Sequence, residues 1–333
     1  PEQAKLILDF SKEYDVPVEA IEFVNEPNYL DVNGYPKGYS AKDYGKDFDT
    51  FARWLRANYP EIIIVGPSAA TNEKGIHKMT EVPSFMMKIV PTRELLDACE
   101  EKPDIFSYHY YNGMSERTMM SFPAKAACSE DYLSIAELAC KYYIKMSSDI
   151  TTNGQLWVTE SGDAAAGGHT WGSTYLDVIR SANELGVFTK LTEGIIFHNT
   201  LASSDYGFLK HGTFVPRPNY FAVLLWNRIM GTTAFDASEV ADGARIYAHS
   251  RKDGKEGVAY LVVNNTNEAI SVELPKEADV YVLAGETGLR SRKMTLNGNV
   301  LELGENDELP ALAPVKAEGT VEIAATNCAF IVL

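Results

Sequence analysis

The sequence predicts an α/β fold: a parallel sheet of five strands alternating with helices, the pattern of a barrel wall, followed by a C-terminal β-sandwich domain. Three observations predict it. Short β-branched runs alternate with long amphipathic stretches through the first two-thirds of the chain. Those runs recur roughly every 40 to 50 residues, the length of one βα unit. Near residue 233 the helical periodicity stops, and short alternating runs separated by turn signals take over. The expected domains are therefore 1–232, the parallel α/β part, and 233–333, the sandwich.

The apolar runs of the first part are Ile21-Glu22-Phe23-Val24, Ile62-Ile63-Ile64-Val65, Asp104-Ile105-Phe106-Ser107, Leu156-Trp157-Val158-Thr159 and Gly194-Ile195-Ile196-Phe197. Helical periodicity fills the intervals near 3–14, 41–59, 81–101, 130–149, 172–186 and 217–230. Phe48, Phe51, Ala52 and Leu55 illustrate the spacing that puts apolar side chains on one helix face. Strands that read as apolar throughout and are separated by helices belong to a parallel sheet covered on both faces. In the second part, Gly257–Val263 and Val280–Leu283 read as strands. Asp253-Gly254, Asn264-Asn265 and Asn297-Gly298 read as turns, and Ala329–Leu333 as the last strand.

Composition narrows the function classes. The 333 residues are 45% hydrophobic and 23% charged, with a formal charge of −16. A chain this acidic, with no basic stripe, repels phosphate backbones, which excludes nucleic acid as a partner. No apolar run reaches the roughly 18 residues of a membrane-spanning helix. Four cysteines, Cys99, Cys128, Cys140 and Cys328, include no C-x-x-C pair and no zinc-ligand spacing with histidine. They read mostly as free thiols, with a Cys128–Cys140 bridge as the alternative. The opening Pro1-Glu2-Gln3 shows no signal peptide and does not look like a native start, so it gives no compartment.

A barrel of parallel strands carries its chemistry at the C-terminal strand ends. Each of the five runs ends in polar or glycine-rich groups: Asn25-Glu26-Pro27, Gly66-Pro67-Ser68, His109-Tyr110-Tyr111, Glu160-Ser161-Gly162 and His198-Asn199. Two of these are carboxylates, three βα units apart. A carboxylate pair across a sugar bond is what glycoside hydrolysis needs: one group stays protonated for the leaving oxygen, and the other is ionised to attack the anomeric carbon.

Phe23-Val24-Asn25-Glu26-Pro27-Asn28 resembles the acid/base motif after strand 4 of the large (β/α)8 glycosidase clan, and Leu156-Trp157-Val158-Thr159-Glu160 resembles its nucleophile motif after strand 7. Within that clan the sequence most resembles glycoside hydrolase family 79, the heparanase and β-glucuronidase group. The resemblance rests on Asn25-Glu26-Pro27-Asn28, on Tyr108-His109-Tyr110-Tyr111-Asn112-Gly113, on the run Ala166-Gly167-Gly168 after Glu160-Ser161-Gly162, and on the C-terminal stretch from Leu296-Asn297-Gly298 through Leu309-Pro310-Ala311-Leu312 to Phe330-Ile331-Val332. It covers essentially the whole chain and implies that 1–232 is a partial catalytic (β/α)8 TIM-type barrel, its strands 4–8.

The resemblance implies a retaining β-glucuronidase with a carbohydrate substrate, no metal and no organic cofactor. Glu26 is then acid and base, and Glu160 the nucleophile. Asn25 bonds the sugar 2-hydroxyl. Tyr111 orients Glu160 and, like His109, faces inward from its strand. His198 and Tyr206 contact the uronic acid, and the backbone N–H groups of Ala166, Gly167 and Gly168 bind its carboxylate. Trp171 is expected to line a sugar subsite, and Trp54 and Trp226 to lie in the core. His77, His169, His211 and His249 are expected to be non-catalytic.

Two departures qualify this. Strands 1–3 have no counterpart in the sequence, so a separate N-terminal chain or segment is expected to complete the barrel. The stretch 69–74 lacks the basic cluster of heparanase, which favours an unsulfated substrate. Two alternatives stay open: another clan glycosidase acting on a neutral sugar, such as a β-xylosidase or β-glucosidase, and a catalytically incomplete carbohydrate-binding fragment.

Overall fold

A computed structural model describes residues 1–82, 87–118, 121–151, 154–237 and 243–333. In chain order its first elements are α1 (Glu2–Glu13), β1 (Ala20–Glu22), α2 (Ala41–Asn58), β2 (Ile63–Ala70), α3 (Thr92–Asp97), β3 (Ile105–Tyr111), α4 (Glu130–Leu133), α5 (Ile135–Ser147), β4 (Leu156–Gly162), α6 (Tyr175–Leu191), β5 (Ile196–His198) and α7 (Pro218–Ile229). Then come β6 (Met230–Phe235), β7 (Ala244–Arg251), β8 (Val258–Asn264), β9 (Ile270–Gly285), β10 (Met294–Leu296), β11 (Asn299–Val300), β12 (Val315–Ile323) and β13 (Cys328–Val332). The chain gathers into two compact units. One comprises Pro1–Tyr110, Ala139–Ser161 and Thr192–Phe197; the other comprises Tyr111–Leu138, Gly162–Leu191 and His198–Leu333.

Five strands form one sheet in the order β1-β2-β3-β4-β5, with β1–β2 and β2–β3 paired in parallel. Spatial order that follows chain order, with helices between the strands, is the arrangement of a barrel wall. A doubly wound sheet reverses its order partway. All of β3 and all of β2 except Ile63 are buried, as strands covered on both faces must be.

Helix α2 shows how the sequence fixes one of these covers. Ser40 and Asp43 make a reciprocal capping box at its start. Phe48, Phe51, Ala52 and Leu55 then fall on one face and pack against Ile62, Ile64 and Leu95. Each large side chain buried there contributes on the order of 1.5–3 kcal/mol. The expected helix near 81–101 is shorter, being only α3. Pro91 sits at its N-cap, and proline disfavours helical backbone in the residue before it, so 87–90 is irregular and helix starts at Thr92. Residues 83–86 of that expectation lie outside the described residues. The stretch near 130–149 divides at Ser134 into α4 and α5.

Among the described residues β1 and β5 pair on one side only. Ile195 and Phe197 beside that edge are each 45% exposed, and α1 presents Leu6, Ile7 and Phe10 to solvent. The expected open sheet of five strands is what the structure has.

The remaining strands, β6–β13, form a second hydrogen-bonded network in the other unit, ordered β11-β10-β9-β13-β8-β7-β6, with β12 also on β9. The sixteen-residue β9 gives its first part to β12 and its last part to β13 and β10. Ile270, Val272, Val321 and Ile323 share a core cluster with Val262, Ala329 and Ile331. Helix α6 packs against this network, and its Gly186 is required there: a Cβ would lie 2.2 Å from the Tyr247 ring, whose hydroxyl donates to Asn183 Oδ1 at 2.8 Å. Antiparallel pairing starts at Met230, three residues before the expected boundary. All four cysteines are free thiols, so the Cys128–Cys140 alternative is corrected.

Candidate active site

Glu26 follows β1 in a backbone that few side chains adopt. Its φ is +43°, in the left-handed region, where a non-glycine residue is strained by about 1–3 kcal/mol. Its neighbours hold it there. The Glu26 N–H donates to Ser68 O at 3.2 Å, and Asn33 Nδ2 donates to Glu26 O at 3.0 Å. Asn28, buried at 1% exposure, donates to Ala70 O at 2.9 Å and accepts from Ala70 N–H at 3.0 Å, tying the turn to β2. Asn25 lies in the same turn, and its carbonyl accepts from the Tyr35 hydroxyl at 3.3 Å.

His109 comes from β3 and Glu160 from β4. His109 Nδ1 lies 3.1 Å from Glu26 Oε1 and 3.7 Å from Glu160 Oε2. One ligand-type atom from each of Glu26, His109 and Glu160 lies within 4.8 Å of the other two. The sequence placed all three at strand ends, and the structure brings them together. The imidazole is 3% exposed; the two carboxylates are 18% and 28% exposed. Burial by itself lowers the His109 pKa. The hydrogen bond to Glu26, with the charges of Glu160, Glu26 and Glu22, outweighs it, and the net shift is upward. Glu22 enters the account through Ser107, whose hydroxyl donates to Glu22 Oε1 at 2.6 Å and accepts from Ser68 N–H. Among the described residues this trio is also the one group with ligand spacing for a metal ion, offering one nitrogen and two carboxylates.

The other expected residues form a second group, in the second unit. Asn199 Nδ2 donates to the Tyr111 hydroxyl at 2.9 Å and lies 3.4 Å from the Tyr206 hydroxyl, so it couples two phenols. Gly162 lies against them: a Cβ there would be 2.9 Å from the Tyr111 ring. Ala166, Gly167 and Gly168 all take positive φ, +63°, +89° and +81°. The Gly168 N–H donates to Ala164 O inside this turn, so among the described residues Ala166 and Gly167 are the two of the three with no backbone acceptor. His198 uses Nε2 on Tyr206 O at 2.6 Å and stacks on Phe208, and burial lowers its pKa to about 4, so the neutral ring donates to that carbonyl.

Three residues that the motifs did not mark support this group. Arg117 bonds Gly168 O and the Asp205 carboxylate, and the Asp205 N–H donates to Gly167 O at 3.0 Å, so one arginine joins the glycine turn to the loop carrying Tyr206. Asp163 is fully buried at the base of the turn, where Oδ2 accepts from His169 N–H at 2.8 Å. Burial and the nearby charge of Asp177 push its pKa well up. Proximity to Glu160 was the available signal for Asp163; nothing in the sequence marked Arg117 or Asp205. The Trp171 expectation needs correction: Trp171 is 2% exposed and stacked on His169 at 4.3 Å, a core position.

No family model matches the chain. Among curated proteins it is similar to heparanase-like protein 1 of Arabidopsis thaliana, 27% identical over 95% of this chain and 63% of the relative. It is also similar to baicalin-β-D-glucuronidase of Scutellaria baicalensis, 29% identical over 54% of this chain and 36% of the relative. The chain thus spans less than two thirds of the length of these relatives. Among solved structures, a 4-O-α-L-rhamnosyl-β-D-glucuronidase from Fusarium oxysporum superposes with a TM-score of 0.69 over 97% of this chain and 72% of the other, at 15% identity. A family 39 β-xylosidase from Caulobacter crescentus superposes with a TM-score of 0.62 over 100% of this chain and 71% of the other, at 14% identity. The relatives bear out the resemblance to the heparanase and β-glucuronidase group, and the structural neighbours bear out the α/β barrel fold.

Proposed function

We propose that this chain, a relative of the heparanases and β-glucuronidases of glycoside hydrolase family 79, is a retaining glycoside hydrolase that removes terminal β-linked glucuronic acid by double displacement. The observation that carries the proposal is the Glu26–His109–Glu160 trio, with carboxylate oxygens within 4.8 Å of each other. Retaining enzymes hold their carboxyl groups about 5–5.5 Å apart, whereas inverting ones leave about 6.5–9.5 Å for a water. Glu160 attacks the anomeric carbon while Glu26 protonates the leaving oxygen; Glu26 then deprotonates the water that releases the sugar from Glu160. His109, 3.7 Å from Glu160, contributes positive charge beside it. Asn25 holds the 2-hydroxyl. Tyr111, His198, Tyr206 and the turn 166–168 serve the sugar ring and its carboxylate.

Uronate selectivity is supported by the left-handed turn, in which the Ala166 and Gly167 amides have no backbone acceptor among the described residues, a backbone anion site that requires no lysine. It is also supported by the relative named a β-D-glucuronidase. A neutral substrate is the second reading, favoured by the β-xylosidase among the structural neighbours. The proposal includes division into a catalytic part, 1–232, and a β-sandwich, 233–333. It also includes completion of the barrel by further strands along the exposed edge at Ile195 and Phe197. No finding favours a separate chain as their source.

Hydrolysis of an aryl β-glucuronide, with the aryl β-glucoside and β-xyloside alongside, tests it. Glucuronide-selective turnover that disappears in Glu160→Gln is the expected result. Preference for a neutral glycoside would sink the uronate assignment, and undiminished turnover in the variant would sink the nucleophile.

A further inference from the structure

The second unit contains a cavity of about 520 Å³ between the stretch 210–221, which includes the start of α7, and the stretch 292–307. Four cationic side chains, Lys210, Arg217, Arg292 and Lys293, and two carboxylates, Glu302 and Asp307, line it, in a chain whose formal charge is −16. Lys293 is paired with Glu302. Lys210 and Arg292 have no ion-pair partner among the described residues. Arg217 donates through Nη1 to the carbonyls of Ser204, Asp205 and Gly207, each at 2.9 Å, which fixes its guanidinium at the cavity wall. Burial lowers the Arg217 pKa; Asp205 opposes this and the neighbouring charge of Arg292 adds to it, so two like charges meet there.

Two further features point to an anion. Helix α7, twelve residues long, begins at the wall of this cavity with Arg217 as its N-cap and no side-chain cap, so its first turn adds partial positive charge at that wall. Ser173, 2% exposed, lies in the wall, and its hydroxyl has no hydrogen-bond partner among the described residues. The rest of the wall is apolar, with Phe221 and Met294, which suits the C–H face of a small ring.

We propose that this cavity is an accessory site for an acidic sugar unit, its carboxylate or sulfate group held by Arg217, Arg292, Lys210 and the start of α7. The choice of a sugar acid over another small oxyanion rests on the glycosidase reading. The presence of an oxyanion site does not.

An NMR titration of this chain with glucuronic acid, inorganic sulfate and glucose, read at the amides of Ser173, Arg292 and Gly304, tests it. Saturable shifts with glucuronic acid and none with glucose are expected. They should weaken on the order of tenfold in Arg292→Ala and again in Arg292→Ala/Lys210→Ala, since charge-assisted contacts are lost. They should persist in Glu160→Gln. Both substituted side chains are exposed, so the fold is expected to survive, and an unchanged melting temperature checks that. Sulfate binding without glucuronic acid binding would overturn the sugar assignment. Absence of any saturable shift, or shifts indifferent to Arg292 and Lys210, would overturn the site. Shifts that vanish only in Glu160→Gln would place the ligand at the carboxylates and leave the proposed function standing without this site.

Discussion

Asp163→Asn isolates the buried acid beneath the glycine turn. Asp163 is inaccessible, its Oδ2 accepts one N–H, and its Oδ1 has no hydrogen-bond partner among the described residues. Gly172 leaves room for it: a Cβ there would lie 2.7 Å from Oδ2. Burial, and then the charge of Asp177, hold its pKa well above the ordinary 3.8, so the folded protein keeps a proton that the unfolded chain releases. The stabilisation from that retained proton is complete below pH 3.8 and is lost as pH rises toward the folded pKa. For one proton the slope approaches 1.4 kcal/mol per pH unit. Between about pH 5 and about pH 7 the wild type therefore loses about 2–3 kcal/mol that the asparagine variant, with no carboxyl at this position to titrate, does not. Other groups cancel in the difference. Urea unfolding of both proteins at the two pH values reads it directly. The variant should gain on the wild type by about 2–3 kcal/mol across the interval. A difference independent of pH would refute the buried protonated acid and the account of how the turn is held.

His109→Gln tests the opposite case. The raised His109 pKa means that its stabilisation is complete below the unfolded value near 6.5 and fades as pH rises through the folded value. The wild type's advantage over the variant should be largest in acid and shrink in mild alkali, as read by denaturant unfolding; an advantage that grows with pH would contradict the trio's electrostatics. Arg180→Met removes the cation shared by Asp177 and Glu184 inside α6, where arginine and both carboxylates are almost fully buried. Removing the cation from between these two buried carboxylates should cost about 3–5 kcal/mol, measurable by calorimetry. A loss below about 1 kcal/mol would mean the ion network is not a structural unit.

The barrel and the carboxylates were legible because barrels impose strong local rules. A parallel strand buried on both faces reads as an apolar run, and its C-terminal end must carry the polar groups; hence Glu26, His109 and Glu160 stood out. The same logic exposed the open sheet, since five runs make five strands. What escaped was long-range pairing. Arg117 meets Asp205 across 88 positions, and Tyr111 meets Asn199 across 88 positions, with no local pattern announcing either. Asn28 was read as part of a motif, and the structure gives it a mechanical role, two hydrogen bonds to Ala70. Trp171 was misread because an aromatic after a glycine run looks available, while its burial depends on His169 and Tyr132 packing against it.

The central claim is that Glu160 forms a covalent bond to the sugar while Glu26 serves as acid and base. Incubation with a 2-deoxy-2-fluoro-β-glucuronosyl fluoride, followed by mass spectrometry of the digested protein, tests it most directly, because the fluorine slows release of the glycosyl-enzyme. One added fluoroglucuronosyl group is expected on the peptide containing Glu160, and none in Glu160→Gln. A label on any other residue, or an unlabelled Glu160, would contradict it.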